Sequence, residues 1–232
     1  MRIDLTAPMS WADLTPEQLT FVCGLLSGGL TREEVLVAAF CHLCGVKLQR
    51  NGDDYWLLNG KERTPIGILA IGDFSSRFSW ILDDEPVEPP CPFGIDRYLI
   101  DTTFEHYFRA DALMLHYSQT NDVPTLCKAL KELEVNIEDP TEAQVLATQV
   151  WWNGFKRWLK ERYPLVFQDD DAGSTEPYNP INARRNIMLM LNDGKPQDNE
   201  RIEQSNRHDV LAALQHKIDQ AKEVEQQMKK YR

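Results

Sequence analysis

The stretch "LTREEVLVAAFCHLCG", residues 30–45, decides the fold class. Thr31 stands at a helix N-cap and Glu34, three residues on, is its capping-box partner. From Val35 onward the residues are almost wholly apolar, so this helix has no solvent face and is expected to be buried. Gly45 ends it. A buried helix needs other helices around it, and the preceding segment supplies one. In "LTPEQLTFVCGLLSGG", residues 14–29, Thr15 caps, Pro16 fits the first helical position and Gln18 completes the box. Leu19, Val22, Leu25 and Leu26 share one face, and Gly28-Gly29 stops the helix.

The opening stretch also holds Cys41-His42-Leu43-Cys44, which can be read as half a zinc site or as a redox pair. A structural zinc site takes four ligands, usually as two spaced pairs. The chain has no second CxxC and no HxxxH; Cys23, Cys91, Cys127, His106 and His116 are scattered. His106 and His116 lie about 15 Å apart along one helix at 1.5 Å per residue. A redox CxxC sits at a helix N-terminus, where the dipole favours a thiolate. This one sits at a C-terminus, where the dipole opposes it. A buried cysteine behaves as a small hydrophobe, and space-filling is the expected role here. A metal-binding enzyme or regulator built on Cys41, His42 and Cys44 is the alternative of a different class.

Downstream, "VKLQRNGDDYWLLNG" places Asn51-Gly52, a favoured tight-turn dipeptide, between two β-prone runs. A small β-hairpin near 46–58 is expected, with Val46–Gln49 and Tyr55–Leu58 as arms. "FSSRFSWILDD" is a short helix with Phe78, Ile81 and Leu82 in the core. "EPVEPPCPFG" is an extended loop because of its prolines. "DTTFEHYFRADALMLHYS" is a helix with a capping box from Thr102 to Glu105 and a heavy aromatic face, and "VPTLCKALKELE" is another. The longest apolar-rich helix starts at Pro140 or Thr141 and ends near Tyr163, blocked by Pro164. In it Trp151, Phe155 and Trp158 recur on one face, with Lys156 and its charged neighbours in solvent. Trp152 lies off that stripe and is a candidate protein-contact anchor.

"QDDDAGSTEPYNPIN", residues 168–182, has linker composition, and its acidic run is expected to be solvated. "ARRNIMLML" is a short helix and "NDGKPQDNE" a loop. Arg201–Tyr231 is expected as one long amphipathic helix. Leu211, Leu214, Ile218, Ala221 and Met228 form a coiled-coil-like stripe interrupted at Glu225. These residues, with Trp152, are the candidate protein-interaction residues. The expected architecture is mainly α. A multi-helix body with one small hairpin spans 1–167, followed by a linker at 168–182 and a helical C-terminal arm at 183–232.

The 232-residue chain has 36 acidic and 25 basic residues, a formal net charge of −11. Such acidity repels phosphate backbones, so nucleic acid is not an expected partner. From 200 to 232 six acidic residues meet seven basic ones, so the acidity belongs to the N-terminal part. No apolar run approaches the length of a membrane span. The N-terminus lacks the apolar core of a signal peptide, and a cytoplasmic location is expected. The common nucleotide-binding, hydrolase and zinc-protease signatures are absent. No catalytic residue and no cofactor is expected.

The order "SWADLTPEQLTFVCGLLSGGLTREEVLVAAFCHLCGVKL", "FRADALMLHYSQTNDVPTLCKAL", "WWNGFKRWLKERYPLVF" and "NIMLMLNDGKPQDNERI…HDVLAALQHKIDQAKEVEQQ" resembles proteins encoded in the tail-gene regions of Bacteroidetes phages and prophages. The plan is similar to that of tail assembly chaperone-like proteins, and the likeness rests on hydrophobic pattern and helix order. It implies a non-enzymatic protein in the cytoplasm of the host bacterium. Its partners would be phage tail proteins, or a second copy through the C-terminal helix. A structural component retained in the virion is the alternative within that class.

Overall fold

The computed structural model describes residues 7–52, 54–167 and 180–230. Helices dominate these residues, with one small antiparallel sheet, so the chain is mainly α as expected. Contacts divide it into two compact units. The first comprises Met1–Arg97 and Thr141–Phe155, the second Tyr98–Pro140 and Lys156–Arg232. Of the expected linker, residues 168–179 lie outside the described residues, and 180–182 begin a helix instead.

In the first unit, α1 (Pro16–Ser27) and α2 (Arg32–Leu43) carry both expected capping boxes, on Thr15 with Gln18 and Thr31 with Glu34. Gly45 adopts φ 66°, a left-handed value that suits glycine and turns the chain into the sheet. The sheet is a three-stranded meander, β1 (Lys47–Asn51), β2 (Asp54–Asn59) and β3 (Glu62–Ile66), where the sequence had predicted a hairpin. The missed signal is a second Asn-Gly dipeptide at Asn59-Gly60, with Gly60 at φ 58°. Pro65 and the charges of β3 hide that strand from a propensity reading, but an edge strand tolerates both.

The expected helix around Phe78 is split into α3 (Ile68–Ser76) and α4 (Trp80–Asp83). Phe40, Phe78, Trp80 and Trp11 gather with Leu57 of the sheet in the core of this unit. The proline loop is extended, and Arg97 fastens it: its guanidinium donates to the carbonyls of Glu88, at 2.6 Å, and Ala12, at 3.1 Å.

The last part of this unit is the beginning of α7 (Glu142–Arg162), started by a capping box between Thr141 and Gln144. Gly154 of this helix is buried under the proline loop, where a Cβ would lie 2.5 Å from Pro89 Cδ and 3.0 Å from Cγ. A proline ring cannot swing aside as a flexible side chain can. Gly154→Ala is therefore expected to destabilise the protein by about 1–3 kcal/mol, despite alanine's better helix propensity. A denaturant midpoint unchanged or raised by this substitution would show that the loop yields freely.

In the second unit, α5 (Phe104–Thr120) is capped by Thr103, which accepts from His106 N, one residue later than the expected Thr102 box. Asn121 takes a left-handed conformation, and Asp122 then caps α6 (Val123–Glu132). The rest of α7 follows, then α8 (Pro180–Leu191), α9 (Asn199–Gln204) and α10 (Arg207–Lys230). The single helix expected from Arg201 is thus two, broken at Ser205-Asn206. The break is stitched to the segment before α5. Phe104 N donates to Ser205 O, Arg207 N to Thr102 O, and the Asn206 amide to Ile100 O. A continuous helix would withdraw Ser205 O into its own ladder and lose this seam. Arg207 is fully buried, donating to the carbonyls of Tyr98 and Leu99 with its guanidinium 5.2 Å from the Tyr107 ring centre.

Candidate interaction surface

At 1.5 Å per residue, α10 is about 36 Å long, and its apolar stripe changes environment along that length. Val210, Leu211 and Leu214 are buried in the second unit, Leu211 at 1% and Leu214 at 2% exposure. Ile218 is half-buried, and beside it Lys217 Nζ donates to Met190 O at 2.8 Å and pairs with Asp193. Beyond this tether the stripe runs into solvent. Ala221 is exposed, Val224 is 55% exposed and Met228 62%. Glu225 and Lys229 pair along the helix at 2.6 Å.

The six expected interaction residues therefore fall into two groups. Leu211, Leu214 and Trp152 are internal, Trp152 packing on Phe155 at 5.2 Å between ring centres. Ile218, Ala221 and Met228 lead outward. Val224 was missed because the heptad reading set Glu225 in the stripe as an interruption. Val224, three after Ala221 and four before Met228, carries the apolar face past it.

The cysteine motif has a different character. His42 stacks on Phe21 with ring centres 3.6 Å apart, and Cys41 and Cys44 are half-buried free thiols. Burial raises the pKa of both, and it pushes Cys23 and Cys91 up to about 12. None of these is a primed nucleophile. Among the described residues no three His, Cys, Asp or Glu side chains converge as metal ligands. The run Asp169–Asp171 lies outside the described residues.

The second unit also encloses a polar cluster around Lys156, the one member of it that the sequence had placed in solvent. Lys156 Nζ donates to Asp111 Oδ1 at 2.7 Å and to Tyr107 Oη at 3.1 Å. Burial alone would lower the lysine's pKa, but Tyr107 and Asp111 beside it raise it overall. Burial likewise raises that of Tyr107. His208 Nε2 lies 2.6 Å from Arg207 Nη2, which can only donate. Its Nδ1 therefore holds the hydrogen and donates to Tyr163 Oη at 2.8 Å. These groups interlock through the contacts just described. A cavity of about 160 Å³ does lie between α5 and α8, lined by Phe108, Ala112, Ile181, Arg109 and Arg184. Both its arginines are paired, with Glu105 and Glu203.

Among the described residues, no helix is long and apolar enough to cross a membrane. Comparison with models of protein families, with curated proteins and with solved structures finds no match.

Proposed function

We propose that this is a non-enzymatic assembly protein of a phage or prophage tail. It would work in the host cytoplasm as a chaperone-like factor, with the distal half of α10 as its polypeptide-binding face. One observation supports this above the rest: a stripe buried in its own unit as far as Leu214 continues, on the same helix, to exposed Val224 and Met228. An anchored helix end with an unburied apolar face suits helix-in-groove recognition. The net charge of −11 would keep a protein with such a face soluble. The tail assignment rests on the sequence resemblance, and the binding role rests on the helix.

Substitution of Leu214 is a poor test, because an aspartate there would enter the core. Val224→Asp combined with Met228→Asp changes only exposed positions. The double variant is expected to keep its unfolding midpoint within about 0.5 kcal/mol and to lose at least ten-fold in pull-down of co-expressed tail proteins. Retained pull-down would remove α10 from the account. Mass spectrometry of purified virions then separates a chaperone, which is absent, from a structural component, which stays.

A further inference from the structure

We propose that the outward face of the three-stranded sheet docks an acidic, apolar segment of a partner polypeptide. Strand side chains alternate between faces. Leu48, Leu57 and Ile66 turn to the core of the first unit. Lys47, Gln49, Trp56, Leu58, Arg63 and Pro65 occupy the other face. The register sets Leu58 between Lys47 and Arg63, and Trp56 between Gln49 and Pro65. Trp56 and Leu58 are partly exposed, and the residues flanking them are exposed. Lys61, in the turn between β2 and β3, adds a third exposed cation at the Leu58 end.

None of these three cations has an ion-pair partner among the described residues. In a chain of net charge −11, three exposed cations without an ion pair on and beside one small sheet face form a local patch of the opposite sign. With neighbouring strands about 5 Å apart, Lys47 and Arg63 stand about 10 Å apart astride Leu58. The face therefore offers an apolar strip ending in unneutralised positive charge, which fits carboxylates followed by large apolar side chains.

Trp56 beside cations also suits a stacked nucleotide, but the charge layout favours a peptide. A nucleic-acid strand needs cations along its whole path. Here they gather at one end, the face holds one aromatic ring, and Asp54 occupies the far end.

The test is titration of the full chain with a synthetic peptide in which Asp and Glu residues precede Phe and Leu, followed by calorimetry and by the Trp56 indole signal in NMR. The peptide is expected to saturate one site and shift that signal. Lys47→Glu with Arg63→Glu, both at exposed positions, should weaken it ten-fold or more, about 1.4 kcal/mol, with circular dichroism unchanged. Trp56→Ala should abolish binding. No binding, equal binding by the charge-reversed chain, or tighter binding of oligo(dT) would each overturn the proposal. This surface is separate from α10, so the outcomes are distinguishable. Peptide binding with no effect of the α10 variant sinks the α10 reading alone, and the reverse pattern sinks this one alone.

Discussion

Lys156→Met is expected to lower stability by about 3 kcal/mol, because it strands the Asp111 carboxylate in the interior. Asp111 is 5% exposed, and the lysine ammonium reaches it at 2.7 Å while also meeting Tyr107 Oη. The Lys156 side chain retains 28% exposure, which places the loss at the lower end for a broken buried pair. Exchanging both partners, Lys156→Met with Asp111→Leu, should restore most of the loss, since a packed apolar pair leaves no charge uncompensated. A double variant as unstable as the single one would show that the network, and not the stranded charge, governs the site.

The same cluster sets a response to alkali. Lys156 and Tyr107 both have their pKa raised in the folded state. A raised group keeps its proton in the folded chain after the unfolded chain has lost it. Its contribution is therefore complete below the ordinary values of about 10 for tyrosine and 10.4 for lysine. It is lost as pH rises through the folded values. Stability should be flat in this respect near neutrality and should fall above about pH 10. In Lys156→Met with Asp111→Leu the fall should be shallower, since Tyr107 alone remains. Parallel alkaline profiles for the two proteins would exclude the lysine from the effect.

The parts of the fold legible in the sequence are those governed by local chemistry. Thr15, Thr31 and Gly45 mark helix ends whose caps are made within a few residues, and all three do what their types dictate. The break at Ser205-Asn206 was not legible, because its cause is a seam with residues 100–104, a hundred positions away. Lys156 was assigned to solvent for the same reason. A lysine flanked by charged residues on a helix belongs outside unless another helix presents a carboxylate, and Asp111 comes from α5. Of the interaction residues, the stripe in α10 could be read but not the place where burial ends. That boundary depends on how far α8 and the turn after it reach, at Met190 and Asp193. The outward sheet face was not seen because it requires the third strand and the register across it.

Trp151→Ala is expected to cost about 4 kcal/mol, within the range for removing a buried aromatic ring. The reasons extend beyond volume. Trp151 is fully buried, its ring edge meets Trp152 at 5.7 Å, and its Nε1 donates to Arg97 O at 3.0 Å. That carbonyl belongs to the residue whose guanidinium holds Glu88 O and Ala12 O, so one indole N–H lies at the root of the loop's attachment. Trp151→Phe separates the two contributions. It keeps most of the ring contact but leaves a part-buried carbonyl without this donor, and should lose about 1 kcal/mol. The loop should then loosen before the helices do. Amide exchange at residues 86–97 is expected to quicken in Trp151→Phe while exchange in α1 and α2 stays slow. Uniform acceleration through the whole first unit would mean that the tryptophan supports the core as a block, with no separate hold on the loop.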